Sequence, residues 1–171
     1  KSRDSADKWP AQLPQLGDNA RMVLEATAGK TDDSTTAQAG NATVFGIGGD
    51  NSVNKSGDRF IAYCFRNVTG YQKIGTYTGD GQTDQTITTG FKPDFIVIKS
   101  TVGNANWRVY DTRRTINGGF IRIHTTGAPH TDSDTPNIEI ISTGFKITSG
   151  GVSNGVNANG NVYFYWAIAK N

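Results

Sequence analysis

The 171-residue sequence holds one cysteine, one methionine, two histidines and two glutamates. With Cys64 alone, no internal disulfide can form. His124 and His130 have no short ligand spacing, and no second cysteine exists to build a zinc site with them. A glycosidase needs two carboxylates about 5–10 Å apart across a cleft. Here Glu25 alternates with Met22 and Leu24 in a strand pattern and is expected to face solvent, and Glu139 is the one other glutamate. Charged residues are 19% and the net charge is +2, with no basic run, so nucleic acid is not an expected partner. No apolar stretch approaches the roughly 20 residues of a membrane-crossing helix, and no membrane partner is expected. No segment keeps a 3.6-residue period over three turns. Neither an enzymatic activity, a cofactor nor a zinc site is therefore expected.

What the sequence has instead is glycine (21 residues), threonine, asparagine, serine and seventeen aromatic residues. That mix favours strands joined by tight turns. It also repeats. Trp9 and Trp107 lie 98 residues apart, MVLEAT at 22–27 answers IRIHTT at 121–126, TVFGI at 43–47 answers TGFKI at 143–147, and NKSGDRFIAYCF at 54–65 answers NANGNVYFYWAI at 157–168. The offset grows slowly, as loop insertions between fixed strands make it. Two related units follow, residues 1–70 and 71–171. The first opens on Lys1, where the second has reached Lys99, so the first is expected to be truncated at its N-terminus and to lack the hairpin that 71–98 supplies to the second. The chain is then a processed product or a piece of a longer polypeptide.

In the second unit QKIGTYT alternates and stops at an Asp80-Gly81 turn, which predicts a hairpin with QTITT. FKPDFIVIKS puts Phe95 and Val97 on one face and Ile96 and Ile98 on the other, as in a strand buried on both sides. WRVYDTRR sets Trp107, Val109 and Asp111 against Arg108 and Tyr110. FIRIHTT points Ile121 and Ile123 inward and His124 outward. NIEIISTGFKITSG breaks into two strands at Thr143-Gly144, and NVYFYWAIAK is apolar throughout and therefore central. The expected core is Phe95, Val97, Trp107, Ile123, Phe145, Phe164 and Trp166. In the first unit Ile61, Tyr63 and Phe65 are expected in the matching central strand, with Cys64 a small buried filler. About seven or eight short strands per unit of roughly 100 residues is the pattern of an all-β, antiparallel β-sandwich of the jelly-roll or concanavalin-like kind.

GTYTGDG at 75–81, TGFKPDFIVIK at 89–99, WRVYDTRR at 107–114, STGFKI at 142–147 and NGNVYFYWAIA at 159–169 resemble a repeat family of bacteriophage virion proteins. Those repeats occur chiefly in marine and cyanobacterial phages, in tail-fibre-like proteins beside laminin-G-like or concanavalin-like sandwich domains. The resemblance implies a non-enzymatic virion protein on a phage tail or capsid exterior. Phage fibres are commonly trimeric, so it also implies a homo-oligomer, a trimer first, or contact with other virion proteins, including a neighbouring subunit beside 1–9 and 60–65. The first unit departs from the pattern where WPAQLPQLGD replaces the W-x-V-Y-D-x-x-R element.

Candidate sites are few. GVSNG at 151–155 fits a nucleophile elbow in letters, but lies between strands rather than before a helix and reads as a turn. Asp132 and Asp134 in HTDSDTPN are calcium candidates that lack the glycine turn and terminal Glu of an EF-hand loop. Asp111, Arg113 and Arg114 suggest a surface ion pair. Tyr77 and Tyr110 are candidates for stacking on sugar rings. The functional expectation is a tail-fibre or appendage module for assembly and recognition of host-surface polysaccharide through Gly/Asn/Thr loops. A capsid-decorating protein is the alternative, and a polysaccharide-degrading tailspike is disfavoured by the missing carboxylate pair.

Overall fold

The computed structural model describes residues 1–41, 43–113, 119–129, 138–148 and 155–170. The chain is all-β with antiparallel sheets, and it divides into two compact units, Lys1–Phe65 and Arg66–Asn171. The division precedes the expected boundary at 70 for a local reason. The Ile74 amide donates to Asn67 Oδ1 (2.7 Å), Val68 bridges Gln72, and Gln72 Nε2 donates to the Arg66 carbonyl (2.5 Å), so 66–71 are tied to the strand that follows.

The second unit is a sandwich. Its larger sheet contains β6 (Gln72–Thr78), β8 (Pro93–Ser100), β9 (Arg108–Asp111), β10 (Ile121–Arg122) and β13 (Val162–Ala169), in the order β10-β9-β8-β13-β6. Its smaller sheet is β11 (Ile138–Ile141), β12 (Gly144–Ile147) and β7 (Gln85–Thr88). β13 lies between β8 and β6, antiparallel to both, with Tyr165 opposite Ile98 on one side and Gly75 on the other. A strand flanked on both sides and covered on both faces favours apolar residues; β13 has them throughout and β8 has them from Phe95 to Ile98, with Lys99 and Ser100 buried at its end. Ile96, Ile98, Tyr110, Tyr163, Tyr165 and Ala167 face Ile87, Phe145 and Ile147 of the smaller sheet, and Phe120 and Val156 complete that interior. Val97, Trp107, Val109 and Phe164 are also buried, on the opposite face of the larger sheet, where Trp107 meets Phe164 edge to face.

Three expectations need correction here. The Asp80-Gly81 turn does not close a hairpin: β6 pairs with β13, and the chain crosses from the larger sheet to the smaller one before β7 begins. Gly81 and Asp84 both take left-handed backbone on that crossing. Ile123 is not core but 46% exposed, because β10 ends at Arg122 and Phe120 fills the interior instead. Phe95 and Trp166 are half-buried, and lie with Val97 and Phe164 on the face away from the smaller sheet.

The first unit carries β1 (Pro10–Gln12), β2 (Ala20–Val23) and β3 (Thr31–Asp32) in one sheet, and β4 (Ala37–Gln38) with β5 (Gly46–Ile47) in another. A 3-10 turn, Pro14–Leu16, lies between β1 and β2, and a one-turn helix, Asn51–Asn54, follows β5. Leu13, Ala20, Met22 and Ala37 are its buried apolar side chains. The expected central strand at 60–65 does not form. Phe60 bridges Ser2, and 61–65 carry no strand. Tyr63 is 65% exposed and Cys64 is exposed, so Cys64 is not the buried filler expected.

Candidate functional site

Tyr77 and Tyr110, the expected sugar platforms, are structural instead. The Tyr77 hydroxyl donates to the Val156 carbonyl (2.6 Å), and its ring stacks on Tyr163 at 5.1 Å and meets Phe145 edge to face. Burial raises its pKa well above the ordinary value. Tyr110 is 6% exposed and packs on Phe120. Period two places both residues on a definite face of their strands, and that face is the interior. Two guanidinium groups accompany them: Arg108 sits 4.3 Å over the Phe120 ring and Arg122 5.7 Å, a cation–π arrangement inside the sandwich rim.

Asp132, Asp134, His130, Arg114 and the serine of GVSNG lie outside the described residues. Arg113 turns to Asp94 (3.8 Å), while Asp111 Oδ1 accepts from the Arg113 amide (3.0 Å). Glu25 is exposed and accepts from the Trp9 amide through both oxygens. His124 is half-buried in the turn after β10, not an outward strand residue. Its pKa is lowered by burial and by Arg122 and Lys99. Lys99 is fully buried, its Nζ donating to the Ser100 carbonyl (3.1 Å), and burial pulls its pKa down to about 8. Among the described residues no three His, Cys, Asp or Glu side chains gather at a metal-binding distance.

Among the described residues, a polar concavity lies in the first unit. An open cleft of about 580 Å³ is lined by Ser34, Thr35, Gln38, Gly49, Asp50 and Asn51. Two aspartates build its walls. Asp33 Oδ1 accepts from the Thr35 amide (3.0 Å) and hydroxyl (2.5 Å), while Oδ2 accepts from the Thr36 hydroxyl and from Arg21 Nε (2.8 Å). The Thr35 and Thr36 hydroxyls and Arg21 hold the Asp33 carboxyl far below the usual carboxylate range. Asp50 Oδ1 accepts from the Ser52 amide (2.8 Å) and hydroxyl, which lowers its pKa too. The two walls are then laid together: the Asp50 amide donates to the Thr35 carbonyl (2.8 Å) and Gly48 to the Thr36 carbonyl (3.3 Å). A Cβ on Gly48 would stand 2.0 Å from the Thr35 carbonyl oxygen, so this approach requires glycine.

The cleft therefore presents hydroxyl, amide and carboxylate groups on turns whose own backbone is already satisfied. None of its residues was singled out individually from the sequence, although D-D-S-T-T and G-G-D-N-S carry the Asp-to-Ser/Thr spacing of such turns. Asn157 was likewise missed. Fully buried, it accepts from the Asp80 amide (3.0 Å) and donates to Asp80 Oδ1 (3.0 Å) and the Gln82 carbonyl (2.7 Å), fixing the crossing from β6 to β7.

Together these features define an all-β protein built on an antiparallel sandwich with polar turn-borne surfaces. The chain belongs to the family described as a domain of unknown function, DUF7483, which matches it over residues 1–171. No curated protein and no solved structure matches the chain.

Proposed function

We propose that the chain is a non-enzymatic module of a phage virion appendage, of the tail-fibre kind, that recognises host-surface glycan. The observation that carries this reading is the cleft of Ser34, Thr35, Gln38, Gly49, Asp50 and Asn51. Sugars are bound through hydroxyl networks, and this cleft offers polar side chains on turns tied together by the Asp50–Thr35 and Gly48–Thr36 backbone bonds, which limits the ordering cost of binding. The virion setting is supported by the resemblance of GTYTGDG, TGFKPDFIVIK and NGNVYFYWAIA to phage tail-fibre repeats. Within this reading the sandwich is a scaffold, and recognition belongs to the loops.

The test is a glycan-binding screen with the whole chain, followed by Gln38→Ala and Asp50→Ala. Loss of one or two sugar hydrogen bonds predicts affinity lowered about tenfold by each substitution. Retention of no glycan, or binding indifferent to both substitutions, would overturn the recognition role. Antibody labelling of intact particles tests the virion setting separately.

A further inference from the structure

The period of two along β9 sets Arg108 on the face that carries Tyr110, toward the smaller sheet, with Ile98 of β8 opposite it on one side. On its other side the directly opposed residue is Arg122 of β10. Like charges at directly opposed positions destabilise a sheet. These two are nonetheless gathered together, since both guanidinium groups lie over the same Phe120 ring, at 4.3 and 5.7 Å. Arg108 is 8% exposed, and its Nε and Nη1 are buried and make no hydrogen bond. The same holds for Nε of the half-buried Arg122.

Other described arginines are either paired or open to solvent. Arg21 pairs with Asp33, Arg59 with Asp4 and Arg113 with Asp94, while Arg3 and Arg66 are exposed. Among the described residues no carboxylate stands within ion-pair distance of Arg108 or Arg122. The Phe120 ring offsets only part of the cost of burying a guanidinium. The surroundings are electropositive: burial first, and then Arg122 and Lys99, lower the pKa of His124 in the turn after β10. β10 is the edge strand of its sheet, so the pair is approached from solvent past Arg122 and His124, both half-buried.

We infer that Arg108 and Arg122 form a binding site for the carboxylate of an acidic sugar, a hexuronate. The two side chains offer three buried donor nitrogens without partners, and one carboxylate accepts through two oxygens with about four lone-pair sites. Seated between the guanidinium groups, it turns a repelling pair into a bridged one. That the carboxylate is carried by a sugar rests on the glycan reading proposed above. The site itself is separate from the cleft, in Arg66–Asn171 rather than Lys1–Phe65.

The probe is sodium glucuronate, added to the whole chain at fixed ionic strength in chloride, with glucose as the neutral control and inorganic phosphate as the competing oxyanion. The Nε–H resonances of Arg108 and Arg122 should shift saturably with glucuronate and stay in place with glucose. Arg122→Gln should weaken glucuronate binding about tenfold, the loss of a charge-assisted hydrogen bond. Arg122→Lys keeps the charge but not the planar fork and should weaken it too; it carries the test if the Gln variant does not fold. Absence of a saturable shift, an equal response to glucose, binding of phosphate in place of glucuronate, or binding indifferent to both variants overturns the site. Gln38→Ala and Asp50→Ala should leave glucuronate affinity unchanged. A glycan screen that fails while glucuronate binds therefore condemns the cleft and spares this site, and glucuronate that fails to bind while the screen succeeds condemns this site alone.

Discussion

Tyr163 lies nearly flat against Tyr77, ring centroids 5.1 Å apart and planes 15° from parallel, on directly opposed positions of β13 and β6. The two hydroxyls then diverge, Tyr77 donating to Val156 and Tyr163 accepting from the Ala158 amide (2.9 Å). One stacked pair thus holds the sheet and the loop before β13 together. Tyr163→Phe should cost about 1 kcal/mol, the loss of a hydrogen bond to a half-buried amide. Tyr163→Ala should cost about 3–5 kcal/mol, in the range of large core truncations. Denaturant unfolding measures both, and no loss in Tyr163→Phe would show the hydroxyl to be idle.

Gly144 has no room for a side chain. A Cβ there would stand 2.1 Å from the Ile87 carbonyl oxygen, across the β12–β7 pairing. Backbone cannot yield as a flexible side chain does, so Gly144→Ala should destabilise by about 1–3 kcal/mol. Gly90, with open space around it but left-handed backbone, should respond more mildly, by about 1 kcal/mol for Ala. Thermal unfolding of the two variants gives the comparison.

Lys99 sets a pH dependence. Its folded pKa is about 8 against 10.5 in the free side chain, through burial. Below pH 8 both states hold the proton and the folded state bears the whole cost of burying charge. Between about 8 and 10.5 the unfolded state binds more protons, so stability rises with pH. The difference between the chain and Lys99→Met should therefore shrink across that window, by on the order of 1–3 kcal/mol. A parallel pair of stability–pH curves would show that Lys99 is not desolvated.

Arg59 clamps the first residues. Its guanidinium reaches Asp4 Oδ1 at 2.5 Å and its amide donates to Asp4 Oδ2 at 2.7 Å, which lowers the Asp4 pKa to about 2. The clamp is complete above the ordinary carboxylate pKa and is lost as pH falls through about 2. Asp4→Asn should quicken amide exchange at Arg3 and Ile61, the neighbouring paired residues, without affecting β13. Unchanged exchange would leave the clamp without a role.

Much of the second unit was legible because β8 and β13 are apolar on both faces, which only a central strand of a covered sheet tolerates. The Thr143-Gly144 break was legible for a similar reason, since the turn interrupts a clear alternation. What alternation does not reveal is which face turns inward. Tyr77 and Tyr110 carry polar tips and look like surface residues, yet their rings supply the interior, with the Tyr77 tip bonded to a loop carbonyl. Ile123 continues a good pattern past the point where its strand stops. Tyr63 and Cys64 lie in an alternating apolar stretch, but alternation alone does not make a strand, and none forms at 61–65. The cleft was hidden because its side chains meet from 34–38 and 49–51, a proximity set by Gly48 and by backbone bonds rather than by spacing.

The placement of β13 also sets an order of events during synthesis. Its seven pairs with β6 and its ladder with β8 are the widest contacts of the sheet, yet it is the last of the unit's strands to be made. Until it leaves the ribosome, β6 and β8 each lack their β13 partner, and β8 presents an open apolar edge. The nascent unit must pass through a sticky interval that ends only when the final strand slides into the gap, which favours slow closure and a need for shielding while translation is under way.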